Sequence, residues 1–248
     1  MPLASTVPLA EGGNVLRRLA VPLGLSVLVL TVTAPALAAR VHVRVEGPNV
    51  TIFGPSEPLV TPVTGSFAPP AGPPVTVGAD TPLGALERAS RLADFYYRIE
   101  SFSFGPYVAQ VGRRAGTDVT GWVYKVNGVS PPVGATAYRL RPGDRVLWYY
   151  ARFGASGGPK TLDLRRTKCR GGVQAVLVDD AGRAKPADHV VFVVDGRRVR
   201  DANGALCPRG HWHTLRATKR GAVRSRVVKA PRNRRRASSF GAPLAGRR

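Results

Sequence analysis

The sequence predicts an α+β domain, in which one helix packs on a mixed sheet, followed by a small all-β sandwich. One amphipathic helix stands between two groups of strand-like segments within residues 41–150, which is an α+β order of elements. After a glycine-rich linker, short strands alternate with turn sequences and no helical pattern follows. These features predict two domains, at residues 39–154 and 160–230, with the linker at residues 155–159.

The N-terminal segment predicts export from the cell. An apolar run at Leu19–Val32 follows two arginines, and Ala36–Ala38 is a small-x-small cleavage sequence. The run is short and flanked by prolines, which favours a cleaved signal peptide at residues 1–38 over a permanent membrane helix. We therefore expect a secreted, extracellular protein with no permanent membrane span after cleavage. Because Met1–Asn14 precede an otherwise complete signal, translation from Val15 is an alternative start.

Three strands are predicted before the helix. Val41–Val45 alternates apolar and polar residues, Thr51–Val60 is a second strand interrupted by prolines, and Val75–Val77 is a short third strand. The intervening residues Thr61–Pro74 are rich in Pro, Gly, Ser and Thr, which predicts a loop.

The strongest helix signal follows these strands. Asp80 or Thr81 can cap the helix, Pro82 suits its first turn, and the pattern ends near Asp94. One face is apolar at helical spacing, and its members are Leu83, Leu86, Ala89, Leu92 and Ala93. We expect this face to pack on the sheet.

Residues 121–150 concentrate the aromatic side chains of the chain. Two of the three tryptophans and four of the seven tyrosines lie there, with predicted strands at Trp122–Val126 and Arg145–Tyr150. The dipeptide Asn127-Gly128 predicts a tight turn, because both residue types tolerate positive φ. Such a concentration of rings forms either a small dense core or a platform for a ligand.

Strand parity defines the candidate platform. Trp122, Tyr124 and Val126 share one face of their strand, and Trp148 and Tyr150 share one face of the next. In a sheet covered by one helix, one face packs on the helix, and we expect the other to be free. The aromatic residues are therefore candidate contacts for a flat or ring-shaped ligand such as a corrin or a sugar. Their hydroxyl and indole N–H groups can form hydrogen bonds to such a ligand.

Residues 41–153 resemble the transcobalamin-like C-terminal domain family of exported bacterial proteins. The resemblance is carried by Val43–Gly47, Thr81–Leu86, Gly121–Gly128, Val133–Ala135 with Tyr138, Pro142–Asp144 and Trp148–Tyr150. It implies a β-grasp-like fold, in which a mixed sheet wraps around one helix. In transcobalamin a domain of this kind covers one face of the corrin ring, so the resemblance implies cobalamin or another corrinoid as the ligand.

The resemblance also places the loop Val129–Thr136 where a covering domain approaches its ligand. It therefore implies that the rim of this loop contacts the ligand, together with the turn before it and the tyrosine after it. The residues concerned are Asn127, Ser130, Val133, Gly134, Ala135 and Tyr138. We expect no cofactor, so a corrinoid or another small ring-shaped molecule enters only as the bound ligand.

Cys169 and Cys207 are the only cysteines of the chain. In an exported protein, two cysteines are expected to form a disulfide. A disulfide that closes a loop of about 39 residues stabilises a fold by roughly 4 kcal/mol in the chain-entropy model. Zinc binding is the weaker alternative, since two cysteines without C-x-x-C spacing cannot complete a site and His211 with His213 is a poor metal pair. We therefore predict no metal.

The chain is strongly basic. Its formal net charge is +22, and arginine outnumbers lysine 31 to 6. This bias, with abundant Ala, Gly, Pro and Val, is typical of GC-rich coding, so it does not indicate nucleic-acid binding. It still favours contact with anionic surfaces. Residues 231–248 consist mainly of Arg, Gly, Ser and Ala, which predicts a disordered basic tail that contacts anionic cell-envelope polymers.

The sequence contains no recognisable catalytic motif. It has no Gly-x-Ser-x-Gly, phosphate loop, His-Glu-x-x-His or dinucleotide fingerprint, and its acids and histidines form no recognisable pair or triad. We therefore expect a secreted, non-catalytic ligand-binding protein, with a corrinoid ligand implied by the resemblance. The alternative is a cell-wall-associated surface or adhesion module that binds anionic polymers or glycans.

Overall fold

The computed structural model describes residues 38–103, 105–154, 157–169, 171–208 and 210–230, all of which fall in one compact unit. The predicted signal peptide up to residue 37 and the predicted tail at 231–248 lie outside the described residues, as do linker residues 155 and 156. The described part is mostly β-structure with a single α-helix. No helix in that part is long and apolar enough to cross a membrane.

Residues 38–154, the first half, contain ten strands and the helix in their described part. In chain order these are β1 (Val41–Glu46), β2 (Thr51–Phe53), β3 (Leu59–Val60), β4 (Gly65–Phe67), β5 (Val75–Val77), α1 (Pro82–Ala93), β6 (Tyr97–Phe102), β7 (Gly105–Val111), β8 (Arg114–Ala115), β9 (Thr120–Val126) and β10 (Arg145–Arg152).

Residues 157–230, the second half, contain eight strands in their described part. They are β11 (Thr161–Arg166), β12 (Val173–Val178), β13 (Ala184–Pro186), β14 (Val190–Val194), β15 (Arg197–Asp201), β16 (Ala205–Leu206), β17 (Thr214–Thr218) and β18 (Val228–Lys229).

A five-stranded central sheet organises the first half. Its order is β2-β1-β10-β9, and β3 also pairs with β1. Strand β1 runs parallel to β10, with Val43 opposite Val146, whereas β9 and β10 are antiparallel, with Tyr124 opposite Trp148. Helix α1 packs on one face of this sheet and shares a hydrophobic core with it. The first half thus has the single helix and the mixed sheet that the sequence predicts.

Local signals explain both ends of α1. The hydroxyl of Thr81 accepts a hydrogen bond from the backbone N–H of Gly84 (3.1 Å), so Thr81 rather than Asp80 is the N-cap. Asp94 ends the helix in the left-handed conformation, with a φ of 49°. Gly84 is needed for close packing, since a Cβ there would lie 2.2 Å from the carbonyl oxygen of Val63.

Two four-stranded sheets form the second half. One has the order β11-β12-β13, with β16 also paired to β12, and the other has the order β15-β14-β17-β18. Both sheets contribute to one core, which includes Leu162, Phe192, Trp212 and Leu215. This pair of sheets around one core agrees with the predicted β-rich sandwich.

Several short strands lie where the sequence predicts none. Strand β4 falls within the predicted loop Thr61–Pro74 and pairs with β5. Strand β15 exposes Arg197–Arg200, and it forms because Asp195 and Gly196, with φ values of 45° and 81°, turn the chain back along β14. Polar hairpin arms of this kind lack a hydrophobic period, so periodicity does not reveal them.

Cys169 and Cys207 form the predicted disulfide, with their Cα atoms 6.2 Å apart. The bond connects the segment between β11 and β12 to the segment that follows β16. Both thiols are consumed by it, which leaves no thiolate to bind zinc. The zinc alternative is therefore wrong.

The second face of the central sheet is covered, so the expectation of a free face is wrong. This face carries a set of buried side chains, namely Arg44, Lys125, Leu147, Tyr149 and Ala151. The second half supplies their partners. The Nζ of Lys125 donates to the carbonyl oxygen of Asp179 (2.9 Å) and pairs with the carboxylate of Asp180 (3.1 Å). Because a buried charge needs fixed partners, these contacts with the second half are what allow Lys125 to be buried on this face.

A group of paired ionic side chains joins the two halves. We call it the interface cluster, and its members are Arg44, Glu46, Glu57, Arg145, Asp163, Arg216 and Arg224. Its centre is Glu46, which is 1% exposed. The carboxylate of Glu46 accepts hydrogen bonds from Arg44 of the same strand (3.1 Å) and from Arg216 (2.8 Å) and Arg224 (2.7 Å) of the second half. The second half therefore completes the coordination of a carboxylate that belongs to the first.

Glu57 extends the interface cluster. It pairs with Arg44 (3.2 Å) and Arg145 (2.7 Å), and Arg145 also reaches Asp163 of the second half (3.3 Å). Burial by itself would raise the pKa of Glu57, but the hydrogen bond from Arg145 and the charge of Arg44 outweigh it and hold the pKa below its ordinary value. The charge and hydrogen bonds of Arg145 likewise lower the pKa of Asp163 against the effect of burial.

These two lowered pKa values predict acid sensitivity. A carboxylate with a depressed folded-state pKa contributes stability that is present above its unfolded pKa of about 4 and is lost as the pH falls through the folded pKa. We expect the thermal unfolding midpoint, followed by circular dichroism, to fall most steeply below about pH 4. Glu57→Gln should flatten this fall, whereas Asp118→Asn, at an exposed carboxylate, should leave it unchanged. Equal profiles for the two variants would contradict the assignment.

The disulfide gives a second stability prediction. Replacing both cysteines (Cys169→Ser with Cys207→Ser) is expected to lower the free energy of unfolding by roughly 4 kcal/mol, because the unfolded chain regains the freedom of the closed loop. Urea unfolding of the double variant, and of the unchanged chain with and without a reducing agent, measures the effect. The reduced chain and the double variant should agree with each other. Stability equal to that of the oxidised chain in both cases would refute the prediction.

Candidate functional site

Both tryptophans of the candidate platform lie in the core. Trp122 is 1% exposed and Trp148 is 2% exposed. The indole N–H of Trp122 donates to the carbonyl oxygen of Arg114 (2.8 Å), and that of Trp148 donates to the carbonyl oxygen of Pro82 at the start of α1 (3.0 Å). The indole N–H groups of both rings are therefore hydrogen-bonded within the protein, and Trp148 connects the sheet to the helix.

The two strand tyrosines of the platform differ in exposure. Tyr124 is buried beside Trp148, with ring centroids 5.4 Å apart, and burial raises the pKa of its hydroxyl to about 12. Tyr150 is half-buried, its ring lies edge-on to Trp122 at 5.5 Å, and its hydroxyl donates to the carbonyl oxygen of Ala115 (3.0 Å). Of the four strand aromatics, only Tyr150 keeps a partly exposed ring.

The turn after β9 has a structural function. Asn127 adopts a φ of 52° and Gly128 a φ of 87°, as the predicted tight turn requires. The side chain of Asn127 donates to the carboxylate of Asp144 (2.7 Å) and accepts from the backbone N–H of Arg145 (2.9 Å). Asn127 thus connects the turn after β9 to the turn before β10.

The loop after this turn is anchored at both ends. Ser130 donates its backbone N–H to the carbonyl oxygen of Asp180 (2.8 Å) and its hydroxyl to the carboxylate of the same residue (3.1 Å). Ala135 is buried, and its carbonyl oxygen accepts from the backbone N–H of Leu83 (3.1 Å). These contacts fix the loop between the helix and the second half.

The exposed rim of the loop is small. Val133 is 45% exposed, Gly134 is exposed, and Tyr138 is half-buried against the core. The hydroxyl of Tyr124 donates to the carbonyl oxygen of Val133 (2.7 Å), which holds the rim in place from below. Of the loop residues implied by the resemblance, these three form a surface that a ligand can reach.

A larger concave surface lies between the two halves, and sequence reasoning missed it. We call it the linker groove; it has a volume of about 830 Å³. Its lining residues are 47, 48, 120, 150, 152–154, 157–160, 177 and 219–224. Much of the lining comes from two segments, residues 152–160 and 219–224, that are far apart in the sequence. The available signal was Arg152-Phe153 at the end of the last strand of the first half, together with the basic segment at 219–224.

The linker groove is cationic. Its charged lining residues are Arg152, Lys160, Lys219, Arg220 and Arg224, and no carboxylate is among the residues that line it. Lys219 pairs with Asp188 (2.9 Å) and Arg224 pairs with Glu46 (2.7 Å), which anchors both to the protein. The other three cations form no ion pair within the described part of the chain.

Residues 85–152 match a family model described as "Domain of unknown function (DUF4430)". The matched segment runs from α1 through β10, so it includes both aromatic strands and the loop between them. It covers roughly a quarter of the chain and ends at Arg152, on the wall of the linker groove. No curated protein matches the chain.

The described residues contain no group of three or more His, Cys, Asp or Glu side chains that could hold a metal ion. His213 is exposed and lies beside the carboxylate of Asp195 at 3.5 Å. Two features that a ligand can reach in the described part are the rim at 133–138 and the cationic linker groove.

Proposed function

We propose that this chain is an exported, non-catalytic binding protein that associates with anionic polymers of the cell envelope. The observation that carries the proposal is the separation of charge in the described part of the chain. Its carboxylates are largely engaged inside the protein or in turns, whereas its exposed charges are mainly arginine and lysine. Such a surface attracts polyanions through the summed field of many cations.

The carboxylates are engaged in three ways. Glu46 and Glu57 are buried in the interface cluster, and Glu87 is buried and pairs with Arg91 (2.6 Å). Asp195, in the turn after β14, accepts hydrogen bonds from the backbone N–H groups of His213 and Thr214. The exposed cations without an ion pair to any described residue include Arg113, Arg114, Arg139, Arg141, Arg165 and Arg166. The exposed surface is therefore strongly positive.

Two further features support an extracellular location. The Cys169–Cys207 disulfide is typical of proteins in an oxidising compartment. The N-terminal segment has the charge, apolar run and small-residue site of a secretion signal in its sequence. The basic residues at 231–248 add to the cationic surface that we propose as the contact with the envelope.

The proposal predicts binding to isolated cell walls that depends on salt. The full chain should sediment with walls at about 50 mM salt and be released near 1 M, where the Debye length falls to about 3 Å. A chain that ends at Ala230 should bind less, because it loses the six arginines of residues 231–248. A full-length variant with those arginines replaced by glutamine separates the effect of charge from that of length. A full chain that stays in the supernatant at low salt would refute the proposal.

A second candidate function is corrinoid binding at the rim of the loop. It is supported by the resemblance of residues 41–153 to the transcobalamin-like family and by the exposure of Val133, Gly134 and Tyr138, which lie inside the segment matched by the family model. In that proposal the rim covers one face of the ring, and the buried rings of Trp148 and Tyr124 support it from the core.

Corrinoid binding predicts a saturable change in cobalamin absorbance when the full chain is added. Val133→Asp should weaken the affinity by roughly tenfold or more, because a charge would have to be buried under the ring. Val119→Asp makes the same change at an exposed valine outside the rim and should have no effect. An unchanged absorbance spectrum and an unchanged unfolding midpoint in the presence of excess cobalamin would exclude this function.

A further inference from the structure

We infer that the linker groove is a discrete binding site for an acidic saccharide chain. This inference rests on the proposed function and deepens it, since it assigns one site and one class of ligand to the contact with envelope polymers. Three properties of the groove carry it: free positive charge, an exposed aromatic ring, and walls that are fixed before a ligand binds.

The free positive charge comes from Arg152, Lys160 and Arg220. All three are exposed, all three line the groove, and none forms an ion pair within the described residues. Asp180 lies beside the linker glycines, but its carboxylate is already paired with Lys125. Cations that converge on one concave surface without a nearby free acid favour a ligand with several negative charges.

The aromatic ring belongs to Phe153, which is 43% exposed. Gly158 lies against this ring, since a Cβ at Gly158 would come within 3.4 Å of it. Tyr150 adds a second, half-buried ring to the same wall. An exposed aromatic face next to hydrogen-bonding groups is suited to a ring with an apolar face and polar edges, which describes a sugar. A phosphate polymer without rings has no apolar face to pack against the ring of Phe153.

The walls are held by one contact within the second half and by others between the halves. Thr161 pairs with Val223 in parallel, with the backbone N–H of Leu162 donating to the carbonyl oxygen of Val223 (2.9 Å). Arg224 donates to Glu46 (2.7 Å) and to the carbonyl oxygen of Gly47 (3.1 Å). A preformed site loses less freedom when a ligand binds, so these contacts favour affinity.

The size of the linker groove also fits. Its volume of about 830 Å³ lies within the range of roughly 300–1,000 Å³ that is typical of ligand pockets. A second cationic cavity of about 690 Å³ lies beside the disulfide, but the ring that lines it, Trp212, is only 9% exposed. The linker groove therefore combines charge and an accessible ring where the other cavity offers charge alone.

Calorimetric titration of the full chain with three probes at low salt tests the inference. Tetragalacturonate carries both rings and charge, its methyl ester carries rings without charge, and tripolyphosphate carries charge without rings. We expect tetragalacturonate to bind and its methyl ester not to bind. The triple variant Arg152→Ser, Lys160→Ser, Arg220→Ser should bind tetragalacturonate roughly tenfold more weakly. It loses three exposed ion pairs to the ligand, each of which contributes only part of a tenfold factor in affinity.

Two matched variants make the result specific. Arg197→Ser, Arg198→Ser, Arg200→Ser removes the same charge from the exposed strand β15, and its affinity should stay within about twofold of the unchanged chain. Phe153→Ala should weaken tetragalacturonate binding and leave tripolyphosphate binding unchanged. Equal losses in the two triple variants would overturn the site, and insensitivity to Phe153→Ala would overturn the saccharide class. All variants should keep the unfolding midpoint of the unchanged chain.

The wall-sedimentation assay separates this inference from the proposed function. If the full chain sediments with walls but neither the groove variant nor Phe153→Ala differs from the β15 variant, envelope association stands and the linker groove is refuted as its site. If the chain binds tetragalacturonate through the groove but does not sediment, the saccharide site stands and the proposed envelope association is refuted.

Discussion

The buried carboxylate of Glu46 is the group on which the arrangement of the two halves depends. A carboxylate that is 1% exposed is costly unless it is paired and hydrogen-bonded. Arg44 of the same strand supplies one partner, and Arg216 and Arg224 of the second half supply the others. Removal of the second half would leave the carboxylate underpaired, so burial of Glu46 and docking of the halves are one event.

Three consequences follow from this docking. The face of the central sheet that carries Lys125 and Tyr149 becomes a core between the halves instead of an open surface. The acids of the interface cluster are withdrawn from solvent, which leaves arginine and lysine to dominate the exterior. The linker groove forms along the line where the halves meet, with Arg224 as both a structural partner of Glu46 and a lining residue. The contacts that stabilise the docking of the two halves therefore also form part of the proposed binding surface.

Much of the first half was predictable because its signals are local. Thr81 and Asp94 mark the ends of α1 through cap chemistry, and Asn127 with Gly128 marks a turn through positive φ. Strand parity also placed Trp122 and Tyr124 on one face correctly. Parity alone does not show which face of the sheet the helix covers. The same aromatic rings were therefore compatible with a buried core and with a ligand platform. The sequence did not reveal β15, because four of its five residues are charged and the strand shows no apolar alternation.

The amino-acid sequence was sufficient to predict the helix and its ends, the aromatic strands and their parity, the pairing of the two cysteines, and the excess of positive charge. Each of these depends on residue type and short spacing, which the chain displays directly. Three outcomes became visible only in the folded chain. The second sheet face is covered, the rings of Trp122, Tyr124 and Trp148 are buried, and Arg152, Phe153 and Arg220 line one groove. Those outcomes depend on contacts between residues far apart in the chain, for which local patterns contain no information.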